Sequence, residues 1–134
     1  MSAQENRQLV MEAYRNFQTG NIQAILDVCA DDIEWELSPV ENAPFSGKRR
    51  GKEQVAKFFS QLDQAQSALQ FEPREFIAQD DKVIALGHYA WNVKATHRSY
   101  ESDFAEVFTV RNGKIVRFQE FADTAVEAAA YRMS

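Results

Sequence analysis

The feature that most constrains this chain is a change of period along it. Between Leu69 and Ala122 no helical spacing recurs, and alternating apolar and polar residues run between turn signals instead. Arg111-Asn112-Gly113-Lys114 separates two such runs, Tyr100 to Val110 and Ile115 to Ala122. Asn-Gly in that setting is the strongest short hairpin signal a sequence offers, because both central residues of the tight turn need positive φ. Gln79-Asp80-Asp81 joins Leu69 to Ala78 with Lys82 to Val93 in the same manner. The second half of the chain is therefore a meander of about four strands.

The first half has the other period. Residues 3–18 carry Leu9, Val10, Ala13, Tyr14 and Phe17 at helical spacing, and Thr19-Gly20-Asn21 ends that helix. A second helix is expected over 21–29, capped by Asn21, with Ile22, Ile25, Leu26 and Cys29 on one stripe. Ile33-Glu34-Trp35-Glu36-Leu37 alternates as a half-buried strand with Trp35 inward. Ser38 to Gly51, with Pro39, Pro44 and the basic Lys48-Arg49-Arg50, reads as a surface loop. A third helix over 51–64 presents Val55, Phe58, Phe59 and Leu62, and an Ala-rich helix over 124–131 closes the chain. The sum is an α+β fold: a curved antiparallel sheet wrapped around three N-terminal helices as a cone, with a short C-terminal helix. Such a cone can stay open at its wide end as a pocket.

Length, charge and cysteine content narrow the classes. One domain over 1–134 is expected from 134 residues. The net charge of -5 speaks against nucleic acid or an anionic membrane as partner and leaves neutral or cationic ligands. No apolar run approaches membrane-spanning length, the N-terminus lacks a signal-peptide pattern, and a cytoplasmic protein is expected. Cys29 is the lone cysteine, so no internal disulfide forms, and a small buried apolar role suits it.

Gly20-Asn21-Ile22, Ala30-Asp31-Asp32-Ile33-Glu34-Trp35, Gly47 through Gly51-Lys52-Glu53, and Gly113-Lys114-Ile115 followed by Asp123 together resemble the nuclear-transport-factor-2-like superfamily. The likeness is to its SnoaL-like and ketosteroid-isomerase-like small bacterial proteins, and it spans nearly the whole chain. It implies a conical pocket and a homodimer formed through the exposed side of the sheet. Counting from Asp31-Asp32 puts Leu37 where the isomerases hold their general base, with Glu36 on the other face of the strand. Glu106 falls where they hold a buried acid that donates to an oxyanion, and their oxyanion tyrosine falls near Ala13, one residue from Tyr14. The SnoaL-like cyclases carry a catalytic aspartate where Asp123 stands, while their partner histidine is replaced here by Glu106.

The residues themselves single out the same two carboxylates. Glu106 shares strand parity with Phe104, Phe108 and Val110, which aims a carboxyl at an apolar face and would raise its pKa. An ion pair with Arg98 or Arg117, or an exposed face, is the structural alternative. Asp123 precedes the last helix, where an aspartate is also a good N-cap. His88 and His97 have no metal-ligand spacing, so no metal site is expected. His88 alternates with Ile84, Leu86 and Ala90, against Val83, Ala85, Tyr89 and Trp91 on the other face, and the pattern leaves open which face is inward. Lys48, Arg49, Arg50 and Lys52 form no defined anion motif and read as solvated.

The expectation is an enzyme working by acid/base catalysis without a cofactor on a small hydrophobic cyclic or carbonyl-bearing molecule. Asp123 and Glu106 would be catalytic, and Tyr14, Trp35, Phe59, His88, Trp91, Phe104, Phe108 and Phe121 would line the pocket. Isomerase, cyclase, dehydratase and hydrolase chemistry all fit such a pair. A noncatalytic small-ligand-binding or dimerisation module is the rival reading.

Overall fold

The computed structural model describes residues 2–133. Helix α1 (Ala3–Gln18) begins with a capping box in which the Ser2 hydroxyl accepts from the Glu5 amide and the Glu5 carboxylate accepts from the Ser2 amide. It buries Asn6, Val10, Ala13 and Tyr14 on one stripe. Helix α2 (Ile22–Asp27) is capped by Asn21 and stops two residues before Cys29, which opens strand β1 (Cys29–Leu37). The expected helical stripe thus loses Cys29 to the sheet, where it pairs with Ile115. The Cys29 thiol is buried there, and burial pushes its pKa up to about 11.

The segment expected to be loop contains a short edge strand, β2 (Gly47–Arg50), antiparallel to β1. Its basic side chains have partners that composition did not reveal. Arg49 donates to the carbonyls of Pro44 and Gln54 and to the side chain of Gln61, Lys48 lies near Glu36, and Lys52 lies near Asp31. Helix α3 (Lys52–Ala65) follows, burying Val55, Phe58, Phe59 and Leu62 as its spacing requires.

Strands β3 (Gln66–Gln79), β4 (Lys82–Val93), β5 (Ser99–Arg111) and β6 (Lys114–Ala122) form the meander, and helix α4 (Thr124–Tyr131) packs on β5. The six strands make one sheet in the order β2-β1-β6-β5-β4-β3. Every pairing is antiparallel except β1 with β6, so the sheet is mixed. That junction is parallel because α3 and the meander intervene between the two strands, and a long crossover is what a parallel pair needs. The Asn112-Gly113 turn has φ of 52° and 74°, the paired positive values of a tight hairpin turn.

One glycine is fixed by contact. A Cβ on Gly87 of β4 would lie 2.3 Å from the Glu72 carbonyl oxygen and 2.6 Å from the Phe104 ring. The neighbouring strands close over this position from both sides, next to a register shift between Pro73 and Glu75 on the edge strand β3.

The inward faces are now assigned. Ile33, Trp35 and Leu37 of β1, Val83, Ala85, Tyr89, Trp91 and Val93 of β4, and Tyr100, Phe104, Phe108 and Val110 of β5 join the buried stripes of the helices in one core. Strand β6 breaks its own alternation. The register steps from Thr109 opposite Arg117 to Val110 opposite Ile115, so Val116 is an extra residue and the strand is bulged there. The bulge lets Ile115 and Phe118 both face inward although they are of opposite parity. Among the described residues no helix is long and apolar enough to cross a membrane.

Candidate functional site

An internal cavity of about 80 Å³ lies between the helices and the inward face of the sheet. Tyr14 from α1, Trp35 from β1, Phe59 from α3, Trp91 from β4 and Glu106 and Phe108 from β5 all line it, as the sequence suggested. Phe17, Leu62, Gln66, Phe71 and Trp91, together with Phe59, also face an outer groove of about 840 Å³ beside α1 and α3. These mainly aromatic side chains form a wall common to both spaces.

The remaining candidates lie elsewhere. Phe104 is buried, but its ring covers Gly87 and stacks on Tyr89 and Phe71, so it backs the cavity wall. His88 is on the opposite face of β4, 2.8 Å from Asp103 and 3.3 Å from Glu101. Phe121 is 52% exposed, because the bulge at Val116 turns Phe118 and Glu120 inward and the alternate residues Gln119 and Phe121 outward. Asp123 is exposed and caps α4, accepting from the Ala125 amide at 3.0 Å and the Val126 amide at 3.3 Å, while its own amide donates to Ser102. Asp123 is therefore outside the cavity, and the expected pairing with Glu106 is not formed. The N-cap alternative describes its geometry.

Glu106 has a different partner. Glu120 stands directly opposite it in the β5–β6 register, and the two carboxyl groups are hydrogen-bonded. The Tyr14 hydroxyl donates to Glu106, and the Tyr89 hydroxyl donates to Glu120. Neither arginine considered at first faces this pair: Arg117 lies near Glu34 and Glu36, and Arg98 donates to the carbonyls of Ala129 and Arg132. Burial holds the Glu106 pKa well above the carboxylate range, the Glu120 charge lifts it further, and the hydrogen bond from Tyr14 offsets only part of this. Burial also raises Glu120, against the hydrogen bonds it accepts from Tyr89 and Glu106. Both carboxyls are therefore held above the ordinary carboxylate range, and the two titrate as a unit. Tyr14 and Tyr89 are pushed upward as well, chiefly by burial, and stay protonated as donors.

A third carboxyl reaches the cavity from α4. Glu127, only 6% exposed, shares its buried face with Ala130 and Tyr131. Burial and then the neighbouring Glu120 push it up to about 8. Beside it Tyr100 and Tyr131 both donate to the Gln66 side-chain oxygen, at 2.9 and 2.6 Å. One donor on the wall has no acceptor: the Trp35 indole N–H is buried and unpaired, with the Trp35 ring stacked on Phe118 at 4.1 Å. Among the described residues no three His, Cys, Asp or Glu side chains are placed to hold one metal ion.

The residue pattern, the topology and a match to the SnoaL-like domain model over residues 10–118 agree. The chain belongs to the SnoaL-like domain family. An NTF2-like protein from Burkholderia xenovorans is 34% identical to this SnoaL-like protein and superimposes with a TM-score of 0.90, over 98% of this chain and 99% of that one. A second, from Burkholderia thailandensis, is 27% identical with a TM-score of 0.87, over 98% and 99% of the two chains. TerC, co-crystallised with polyporic acid, is 23% identical with a TM-score of 0.77 over 94% and 97%, a likeness of fold. No curated protein sequence matches the chain.

Proposed function

We propose that this SnoaL-like protein is an acid/base enzyme acting on a small hydrophobic cyclic or carbonyl-bearing molecule, with Glu106 and Glu120 as its proton-transfer pair. One observation carries the reading: two carboxyl groups joined by a hydrogen bond are buried among aromatic rings with no cation facing them. Such a pair gives up its second proton only at raised pH, so near neutrality one member can donate a proton while the other accepts one. Tyr14 is placed to follow the developing charge. Its hydroxyl, now directed at Glu106, can turn to a substrate oxygen beside that carboxyl, and Glu106 can donate to the same oxygen. Glu120 then receives the proton removed from carbon. The resemblance places the oxyanion tyrosine near Ala13, one residue from the Tyr14 that donates to Glu106.

The cavity volume bears on the substrate. At about 80 Å³ it is roughly half the engineered cavity of about 150 Å³ that admits benzene, so a ring enters only as the Phe17, Phe59 and Phe71 wall moves toward the outer groove. That motion would merge the two spaces and exclude water again on closure.

The test is hydrogen–deuterium exchange at the carbon beside the carbonyl of simple cyclic ketones in deuterium oxide, followed by proton NMR. Exchange above the buffer rate that disappears in Glu106→Gln and in Glu120→Gln supports the reading. A ketone that binds but exchanges at the buffer rate would leave the protein a binding module.

A further inference from the structure

We infer that the molecule this cavity selects carries a protonated or quaternary nitrogen, held by Glu127 at the α4 end while the rest of the molecule reaches the Glu106–Glu120 pair. The inference rests on reading the cavity as a ligand site and adds to it the charge of the ligand. Glu106, Glu120 and Glu127 all line the cavity, and no lysine, arginine or histidine does. An acidic cavity of this composition, otherwise walled by aromatic faces, is complementary to a cation. Tyr89, Trp91 and Tyr100 also line the cavity, and aromatic rings of this kind attract an ammonium group placed over their faces.

Glu127 supplies the independent observation. Every hydroxyl near it directs its proton elsewhere: Tyr100 and Tyr131 donate to Gln66, and Tyr89 donates to Glu120. Among the described residues no hydrogen bond reaches the carboxyl of Glu127, a residue only 6% exposed that lines the cavity. A buried carboxyl in that condition is costly unless something brought into the cavity satisfies it. The groups facing it are Glu120 from β6, Tyr89 from β4, Tyr100 from β5 and Tyr131 from its own helix, all of which are neutral or acidic. Arg98 donates to the Ala129 and Arg132 carbonyls at the C-terminal end of α4.

The charge accounting fixes a signature. With its pKa at about 8, Glu127 is mostly neutral near pH 7 in the empty cavity. An ammonium ion arrives with its proton, Glu127 ionises to pair with it, and the carboxyl proton leaves to solvent. Binding therefore releases up to one proton per ligand near neutrality, and none is released once pH exceeds the carboxyl's own value.

The experiment compares three near-isosteres, benzylamine, benzyl alcohol and toluene, by titration calorimetry in buffers of different ionisation enthalpy. Benzylamine is expected to bind about tenfold or more tighter than benzyl alcohol, a preference of the size a charge-assisted pair supplies. Proton release should accompany the amine alone, and Glu127→Gln should abolish the release and bring the amine's affinity to that of benzyl alcohol on the same variant. Equal or weaker binding of the amine, with the alcohol or toluene still bound, overturns the cation inference and leaves the cavity a ligand site. If none of the three binds at all, the reading of the cavity as a ligand site falls first. Benzylamine preference that survives in Glu127→Gln would assign the cation to another group and also overturns the inference.

Discussion

Strand β5 carries acidic side chains on both faces, and the two faces treat them in opposite ways. On the outer face Glu101 and Asp103 stand around His88, with Asp103 86% exposed. On the inner face Glu106 meets only another carboxyl, two tyrosine hydroxyls and aromatic rings. The residue types are the same and the strand is the same; what differs is access to water and to a counter-charge. Outside, solvent screens the charges and the contacts are worth little. Inside, desolvation decides the protonation state, and an acid kept neutral near pH 7 becomes available for proton transfer. The contrast shows why chemistry in this fold is to be sought on the concave face, whatever the local density of charge on the other.

The sharpest way to break this comparison is to remove the titration of the inner pair while keeping its shape. Glu106→Gln should lower the exchange rate on a responsive ketone roughly 100- to 10,000-fold, the range ascribed to a positioned general acid or base. The same assay on a His88 variant should show no comparable loss. Next in size is the seam between the faces at Gly87. Adding a Cβ 2.3 Å from a backbone oxygen forces a shift of β3 against β4, since a carbonyl cannot swing aside as a flexible side chain can. Gly87→Ala is expected to cost about 2 to 4 kcal/mol in denaturant unfolding, within the range for overpacking plus strain. A loss under about 1 kcal/mol would mean the strands separate there with ease.

Most of the frame was legible because it is periodic. Helices α1 and α3 and the Asn112-Gly113 turn follow from spacing alone, and each is present as expected, whereas spacing put Glu106 among apolar residues of its strand and left open whether that face is inward. Glu120 was not legible, for a specific reason: extending the alternation from Ile115 puts Arg117, Gln119 and Phe121 inward, and a one-residue bulge at Val116 reverses this. A bulge leaves no composition signal in Val116-Arg117, so the sequence pattern points to Phe121 and passes over Glu120. Glu127 did leave a signal, since it lies three and four residues before Ala130 and Tyr131, the other buried residues of α4. Asp123 carried two meanings, cap and catalyst, and only the geometry of the amides after it separates them. The parallel β1–β6 junction depends on long-range order, which alternation within a strand does not encode.

A smaller effect separates the two faces by pH. Glu127 has an ordinary value of about 4.5 and is pushed up to about 8 in the folded protein, so between those values the native state holds more protons than the unfolded chain. Stability from this group is fully present below the lower value and is lost as pH rises toward the upper one, at up to about 1.4 kcal/mol per pH unit. Glu106 and Glu120 act in the same direction. The melting temperature is therefore expected to fall as pH rises from about 5 to about 8, the reverse of what salt-bridged carboxylates give. Glu127→Gln should flatten that slope and leave the variant more stable than the parent at the alkaline end. A parent profile that rises over this window would show that the inner carboxyls are ionised when the protein folds, and the contrast between the faces would collapse.

The smallest expected effect belongs to the outer face and is the control on the others. Asp103→Asn removes one charge beside His88 while keeping shape and hydrogen-bonding capacity, and Asp103 is largely solvated. The change in unfolding free energy should stay within about 0.5 kcal/mol and shrink further as salt is added, because exposed pairs gain little over hydration. Exchange activity should be unaltered, since the sheet backbone stands between Asp103 and the cavity. If Asp103→Asn instead lowered activity as strongly as Glu106→Gln, the two faces would be coupled through β5 itself. In that case the outer His88 cluster would belong to the positioning of the inner pair.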